Sequence, residues 1–193
     1  MLIKKNDTTI GILKALGPIS LILRLAVPFT VFTSPYFATI TILVLDWADC
    51  SFYNRWGFNR KEYNLIDKTL DLYWYIFILI YSFSYLPLFG LLFILFVYRL
   101  VGTFIYFIKR DDKIFIYFPN VFENVFYFLL ILQFLKFYDY LLQPKYFIPI
   151  FLICFVVRMI FELLAHKWDY KTRKYWPWWM ESPKREKKGF FTK

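Results

Sequence analysis

The sequence is poor in the residues that build disulfide frameworks and zinc sites. It has two cysteines and one histidine in 193 residues. Cys50 and Cys154 lie within or at the end of apolar stretches and form no CxxC pair, and His166 has no cysteine near it. The composition therefore argues against a disulfide scaffold and against a structural zinc site.

Acidic residues are also scarce relative to basic ones. The chain has 14 Asp and Glu against 24 Lys and Arg, which gives a net charge of +10. The basic residues flank apolar segments and form no separate basic module, which argues against nucleic acid as a partner. In a membrane protein such an excess usually lies in loops on the cytoplasmic side.

Apolar and aromatic residues dominate what is present. Hydrophobic residues make up 60% of the chain and aromatic residues 25%, whereas soluble domains are about 45–50% apolar. A membrane-spanning helix needs about 20 mostly apolar residues. The composition therefore predicts an all-α integral membrane protein with six transmembrane helices. A short interfacial helix with Lys4, Lys5 and Lys14 precedes them.

Turn residues and charges divide the chain into a predicted single membrane domain, residues 1–193. An interfacial segment covers 1–17, a six-helix bundle covers 18–167, and a basic aromatic tail covers 168–193. The six predicted spans run from about 19 to 32, 37 to 46, 63 to 85, 87 to 109, 119 to 138 and 144 to 167. No cleavable signal is expected at the N-terminus, because Lys14 and Arg24 interrupt its apolar run.

The basic residues are distributed unevenly between the two sides of such a bundle. If the N-terminus is inside, the basic clusters around 55–61 and 109–113 and the tail are also inside. The outside turns then hold only Lys145, with Lys136 near the end of a span. This asymmetry predicts a multi-pass protein with both termini on the cytoplasmic-equivalent side. The tail, with tryptophans at 176–179, is expected to contact anionic lipid headgroups.

Four aspartates stand out near the second and third predicted spans. Asp46 and Asp49 are three residues apart, and Asp67 and Asp71 are four apart. On helices, these spacings place both members of each pair on one face. Because a short polar connection joins the two helices, we expect the four carboxylates to gather at the membrane edge.

Four carboxylates gathered in one place repel one another, and each is costly to desolvate near hydrocarbon. Either some of them hold protons or a divalent cation lies among them. Oxygen-only ligands favour magnesium, calcium or manganese over zinc, and magnesium commonly binds substrate phosphates. The alternative is a solvated face on which Asp67 and Asp71 pair with Lys68, Arg55 or Arg60.

The spacing of these aspartates resembles the motif of the CDP-alcohol phosphotransferase family, D-x2-D-G-x2-A-R-x8-G-x3-D-x3-D. Asp46 and Asp49 match the first pair. The third aspartate falls eighteen residues after the second, at Asp67, and the fourth falls four later, at Asp71. Upstream, Ile19–Pro28 is similar to the first span of the family.

The chain departs from that motif on the side where the family binds the nucleotide. The two motif glycines are Cys50 and Tyr63, the alanine is Tyr53, and the arginine is Asn54, with Arg55 one residue late. Glycine would let a nucleotide lie close to the backbone. The larger residues either block that approach or reshape it.

The resemblance implies a function for each matching residue. Asp46, Asp49, Asp67 and Asp71 would bind Mg²⁺ or Mn²⁺, and Asp71 would also act as the catalytic base. The enzyme would transfer a phosphatidyl-type group from a CDP-linked lipid to a small alcohol, such as glycerol 3-phosphate, and release CMP. Such a reaction belongs to phospholipid synthesis.

Three arginines are candidates for binding the substrates. Arg24 lies in the first predicted span, Arg55 lies beside the motif and Arg99 lies in the fourth span. A charged residue within a span is a functional hypothesis by default. Alternatively, Arg24 forms a structural ion pair with an aspartate, and Arg99 extends towards the interface.

Two glutamates in the later spans have simpler explanations. Glu123 is expected to pair with Arg99 or Lys113. Arg158 and Glu162 are four residues apart, which predicts an ion pair on one face of the sixth span.

Two other functional classes remain open at this stage. A non-catalytic membrane subunit of a larger complex could keep the helical bundle with a degenerate site, either as a homodimer or with another partner. A small transporter would need acidic residues deep in the bilayer, whereas the four aspartates lie near one edge.

Overall fold

The computed structural model describes the backbone of residues 7–167, and every regular element in this range is helical. The predicted all-α class is therefore confirmed for this part of the chain. The predicted basic aromatic tail, residues 168–193, lies outside the described residues, as do residues 1–6.

Seven α-helices follow one another. They are α1 Asp7–Ala26, α2 Pro35–Trp56, α3 Arg60–Tyr85, α4 Phe89–Lys109, α5 Val121–Leu135, α6 Tyr138–Leu141 and α7 Pro144–Lys167. Two 3₁₀ segments, Val27–Phe32 and Asp112–Ile116, follow α1 and α4. Two predicted boundaries fall inside helices. The boundary between the interfacial segment and the first span lies within α1, which passes through Pro18. The predicted end of the second span, at Asp46, lies within α2, which continues ten residues further.

Within residues 7–167, three helical stretches are long and apolar enough to cross a membrane. These stretches are Ala15–Phe32, Phe89–Lys109 and Pro144–Leu163. Helix α5 is apolar but has only 15 residues. The structure therefore supports three membrane-spanning helices by length and composition, and the predicted count of six stays a prediction.

The described residues form two compact units, and the boundary between them falls within α3. The first unit comprises residues 7–71, which include α1, α2 and the first half of α3. The second unit comprises residues 72–167.

In the first unit, a three-residue connection reverses the chain between α2 and α3. Gly57 ends α2 with a φ of 114°, a left-handed conformation that glycine adopts without a steric penalty. The backbone N–H of Glu62 donates to the Asn59 side chain, and the N–H of Asn59 donates to the Glu62 carboxylate, both at 2.9 Å. This reciprocal capping box fixes the first turn of α3.

Helices α1 and α2 approach each other closely at Gly17. A Cβ atom on Gly17 would lie 2.9 Å from the Cβ of Trp56, which is too close for a real contact. The missing side chain therefore lets the two backbones come together, as small residues do at helix interfaces. This approach positions the later part of α1 against α2.

In the second unit, α5 is the central helix. Phe122 and Phe126 are buried and contact three buried aromatic side chains of α3 edge-on, namely Trp74, Tyr75 and Tyr81. Edge-to-face pairs of this kind add stabilisation beyond that of the buried area. The aromatic residues that the composition assigned to packing or lipid contact thus include a defined core.

The chain between α4 and α5 turns back along α4. Phe115 contacts the ring of Tyr106, and Phe118 contacts Tyr98, which is eight residues earlier on α4. The Arg99 guanidinium lies 4.1 Å from the centre of the Phe115 ring and donates a hydrogen bond to the carbonyl of Phe118. Helix α5 therefore begins beside the middle of α4.

This return path requires a residue without a side chain at position 102. A Cβ atom on Gly102 would lie 2.3 Å from the Cβ of Phe118. We expect Gly102→Ala to lower the free energy of unfolding by about 1–3 kcal/mol, because the added methyl group forces the segment away from α4. Thermal unfolding of the detergent-solubilised protein measures this change.

Gly90→Ala is the matched control in the same helix. A Cβ atom there has no neighbour within 4 Å, so this variant should unfold at or above the temperature of the unchanged protein. Equal behaviour of the two variants would contradict the close packing at Gly102.

Candidate metal and phosphate site

The four predicted aspartates of the first unit converge on the Arg24 guanidinium. Asp46 and Asp71 lie 3.2 and 2.9 Å from its Nη2 atom. Asp67 lies 3.2 Å from its Nη1 atom, which also contacts the carboxylate of Asp49. One arginine from α1 thus joins carboxylates from α2 and α3.

The α2–α3 connection explains why the carboxylates meet. Asp49 is eight residues before Gly57, and Asp67 is eight residues after Asn59. Because the chain reverses between these two positions, equal separations place Asp49 and Asp67 at the same level of the two helices. The same reasoning brings Asp46 near the level of Asp71.

Two further side chains complete the cluster. The Lys68 ammonium lies 2.7 Å from Asp67 and 2.9 Å from Asp71. The Tyr63 hydroxyl donates a hydrogen bond of 2.8 Å to the second oxygen of Asp49. Asp67 therefore pairs with Lys68, as the solvated-face alternative required, but Asp67 is buried rather than solvated.

Among the described side chains of the cluster, acids outnumber cations. Arg24 and Lys68 would offset half of the charge that four ionised carboxylates carry. Burial raises the pKa of Asp49, which lies beyond the end of the predicted second span, to about 7, while Arg24 acts in the opposite direction. A proton and an added cation are therefore alternative partners for this carboxylate near neutral pH.

The donor atoms suit a hard divalent cation. One carboxylate oxygen from each of Asp46, Asp49 and Asp67 lies within 4.8 Å of the others. An ion that binds oxygens at 2.0–2.6 Å separates two of them by up to about 4–5 Å. Spacing and chemistry thus fit magnesium, manganese or calcium, provided that the Arg24 guanidinium moves from between the carboxylates.

Packed aromatic side chains lie beside the carboxylates, and two of them, Tyr53 and Tyr63, replace small residues of the family motif. Tyr53 is fully buried, and its ring contacts Trp56, Phe58 and Tyr63 with centroid distances of 5.6–6.0 Å. Its hydroxyl has no hydrogen-bond partner among the described side chains, and burial beside Asp49 raises its pKa. The larger residues in the motif therefore pack against one another.

The other two predicted substrate-binding arginines are Arg55 and Arg99. The Arg55 side chain lies outside the described residues, although its backbone belongs to α2. Arg99 belongs to the second unit and is 97% buried there. It contacts Phe118 and Phe115, and lies 3.9 Å from Glu162.

A buried polar network surrounds the start of α5 in the second unit. The backbone N–H of Asn120 donates to Glu162 at 3.3 Å, and its side-chain amide donates to Tyr75 and Glu123. Arg158 pairs with Glu162 at 3.0 Å, as the four-residue spacing predicted. Glu123, for which Arg99 or Lys113 was the predicted partner, accepts hydrogen bonds from Asn120 and Tyr127.

Sequence reasoning missed three features of these sites. The N-x-x-E pattern at Asn59 and Glu62 is a recognisable capping signal, and it indicates where α3 begins. Tyr63 was interpreted only as a bulky residue in place of a motif glycine. No local pattern indicates that its hydroxyl reaches Asp49. No local pattern links Asn120 to Glu162 either, because 42 residues separate them.

Comparison of the chain with known protein families, characterised proteins and solved structures finds no match.

The hydrogen bond from Tyr63 to the fully buried Asp49 gives a direct test of this geometry. Tyr63→Phe leaves one carboxylate oxygen without its donor, and we expect it to destabilise the protein by about 1–3 kcal/mol. A shift in the thermal unfolding midpoint in detergent measures the loss. Tyr85→Phe is the control, because the Tyr85 side chain is exposed; an equal shift in both variants would contradict the assigned hydrogen bond.

Proposed function

We propose that the protein is a membrane-embedded CDP-alcohol phosphotransferase. It would transfer a phosphatidyl-type group from a CDP-linked lipid to a small alcohol and release CMP. The observation that carries the proposal is the convergence of Asp46, Asp49, Asp67 and Asp71, which lie at the motif spacing.

The proposal includes six membrane spans. α1 with its 3₁₀ extension, α4 and α7 are long and apolar enough for this role, and α2, α3 and α5 would supply the other three. The carboxylates of α2 and α3 would then lie at the membrane edge, where a lipid diphosphate and a water-soluble alcohol meet.

Phosphoryl transfer depends mainly on positioning the reactants and on neutralising charge. Asp46, Asp49 and Asp67 would hold Mg²⁺ or Mn²⁺, which would neutralise the diphosphate and favour departure of CMP. Asp71 would accept the proton of the acceptor hydroxyl while the oxygen of that hydroxyl attacks the β-phosphorus. Lys68, which contacts Asp67 and Asp71, would hold these two carboxylates in place.

Substrate phosphates require cationic partners as well. Arg24 already lies among the carboxylates, and Arg55 follows them on α2. Arg99 remains a candidate for an acceptor phosphate, such as that of glycerol 3-phosphate, although its guanidinium contacts protein groups in the second unit.

One observation favours a second function, that of a non-catalytic membrane subunit. Tyr53 fills the position beside Asp49 and packs against Trp56, Phe58 and Tyr63. If this aromatic packing excludes nucleotides, the contacts between Arg24 and the four aspartates would serve only to join α1, α2 and α3. The same bundle would then act as a scaffold, either in a homodimer or with another partner.

The enzymatic proposal predicts metal-dependent release of CMP. Purified protein in detergent is incubated with CDP-diacylglycerol, Mg²⁺ or Mn²⁺ and a panel of small alcohols that includes glycerol 3-phosphate. Asp71→Asn should lower the rate by roughly 100-fold or more, because it removes the proposed base. Chelation of the metal should abolish the reaction.

Asp111→Asn is the control for a change from aspartate to asparagine. Asp111 caps the second 3₁₀ segment by accepting a hydrogen bond from Lys113, a role that asparagine fills equally well. Its activity should equal that of the unchanged protein. Absence of CMP release with every alcohol would favour the scaffold instead, whereas full activity of Asp71→Asn would contradict the role of Asp71 as base.

The six-span arrangement predicts that Asp111 and Lys145 lie on opposite sides of the membrane. Both side chains are exposed, so each can be replaced by cysteine in a chain carrying Cys50→Ser and Cys154→Ser. In intact cells, an impermeant maleimide should label Lys145→Cys and spare Asp111→Cys. Labelling of both variants, or of Asp111→Cys alone, would refute the predicted orientation.

A further inference from the structure

The two cations of the aspartate cluster are not equivalent. The Arg24 guanidinium contacts all four carboxylates and is 98% buried. The Lys68 ammonium contacts two of them, Asp67 and Asp71, and its side chain is 19% exposed. Arg24 therefore occupies the centre of the cluster, whereas Lys68 lies at its edge.

Arg24 contacts the same three carboxylates that would hold a cation. Its Nη1 atom contacts Asp49 and Asp67, and its Nη2 atom contacts Asp46. These three aspartates also supply the oxygens that lie within 4.8 Å of one another. A divalent ion bound to this set would therefore compete with the guanidinium for the same carboxylates.

We propose that Arg24 is a built-in counter-cation, which holds the carboxylates together without metal and is displaced when a divalent ion binds. This inference rests on the proposed function and adds a control step to the same site. The carboxylates would never be left without a cation, since four unpaired acids would repel one another. The displaced guanidinium then becomes available to phosphate oxygens, which arginine binds through two parallel hydrogen bonds.

Competition by Arg24 lowers the affinity of the cluster for metal. Replacing Arg24 should therefore tighten metal binding more than replacing Lys68, even where both changes alter the net charge equally. A substitution of Arg24 that keeps the positive charge but makes fewer hydrogen bonds to the carboxylates should also tighten metal binding. Lysine meets this condition, because its ammonium group cannot hold four carboxylates with two separate nitrogens.

The test measures Mn²⁺ affinity of the full-length protein in detergent, by the electron paramagnetic resonance signal of free Mn²⁺. Arg24→Gln should lower the Kd by about 10-fold or more, against about 2- to 3-fold for the charge-matched Lys68→Gln. Arg24→Lys should lower the Kd by about 3-fold or more, whereas Lys68→Arg should leave it unchanged.

Thermal unfolding provides a second readout that does not depend on activity. With chelator, Arg24→Gln should unfold at a lower temperature than the unchanged protein, because its four carboxylates have lost the guanidinium that contacts all of them. Added Mn²⁺ should raise its unfolding temperature more than that of the unchanged protein. If Arg24→Gln cannot be purified without metal, Arg24→Lys carries both measurements.

The outcomes separate this inference from the proposed function. If the unchanged protein binds Mn²⁺ and the Arg24 variants bind it no more tightly than the Lys68 variants, the inference is wrong and the metal site stands. If only the Arg24 variants bind Mn²⁺, Arg24 is not displaced in the unchanged protein, which contradicts both the inference and the enzymatic function. If no variant binds Mn²⁺, both are wrong.

Discussion

The contact between one guanidinium and four carboxylates is the interaction on which the first unit depends. Arg24 on α1 holds Asp46 and Asp49 on α2 and Asp67 and Asp71 on α3. Since Asp49 and Asp67 are buried, loss of the arginine would remove a charged partner that offsets their desolvation. The turn at Gly57 and the close approach at Gly17 allow this contact, because they set the level and the distance of the three helices.

Much of this arrangement could be predicted from the sequence. The apolar composition and the long apolar segments indicated a helical protein, and the offsets of the four aspartates indicated that they gather across a short connection. These inferences succeed because helical periodicity converts sequence spacing directly into position on a helix face. The extent of α2 was less predictable, because the polar residues after Asp46 give the same signal in a loop as on an exposed helix.

What remained hidden depends on contacts between distant residues. The sequence placed Arg24 in a span with two open interpretations, and only the folded chain shows that one guanidinium serves all four acids. Likewise, Asn120 contacts Glu162 and Tyr75 through pairings that cross more than 40 residues. No periodicity encodes such pairings, because they depend on which helices become neighbours.

The shortness of α5 has a consequence for the way in which the chain enters a membrane. Its 15 residues extend about 22 Å, less than the hydrocarbon thickness of about 30 Å. The backbone N–H of Asn120 at its start finds its acceptor on Glu162 of α7, which is synthesised later. If α5 is one of the proposed spans, its insertion would depend on α7, and biogenesis of this unit would be cooperative rather than sequential.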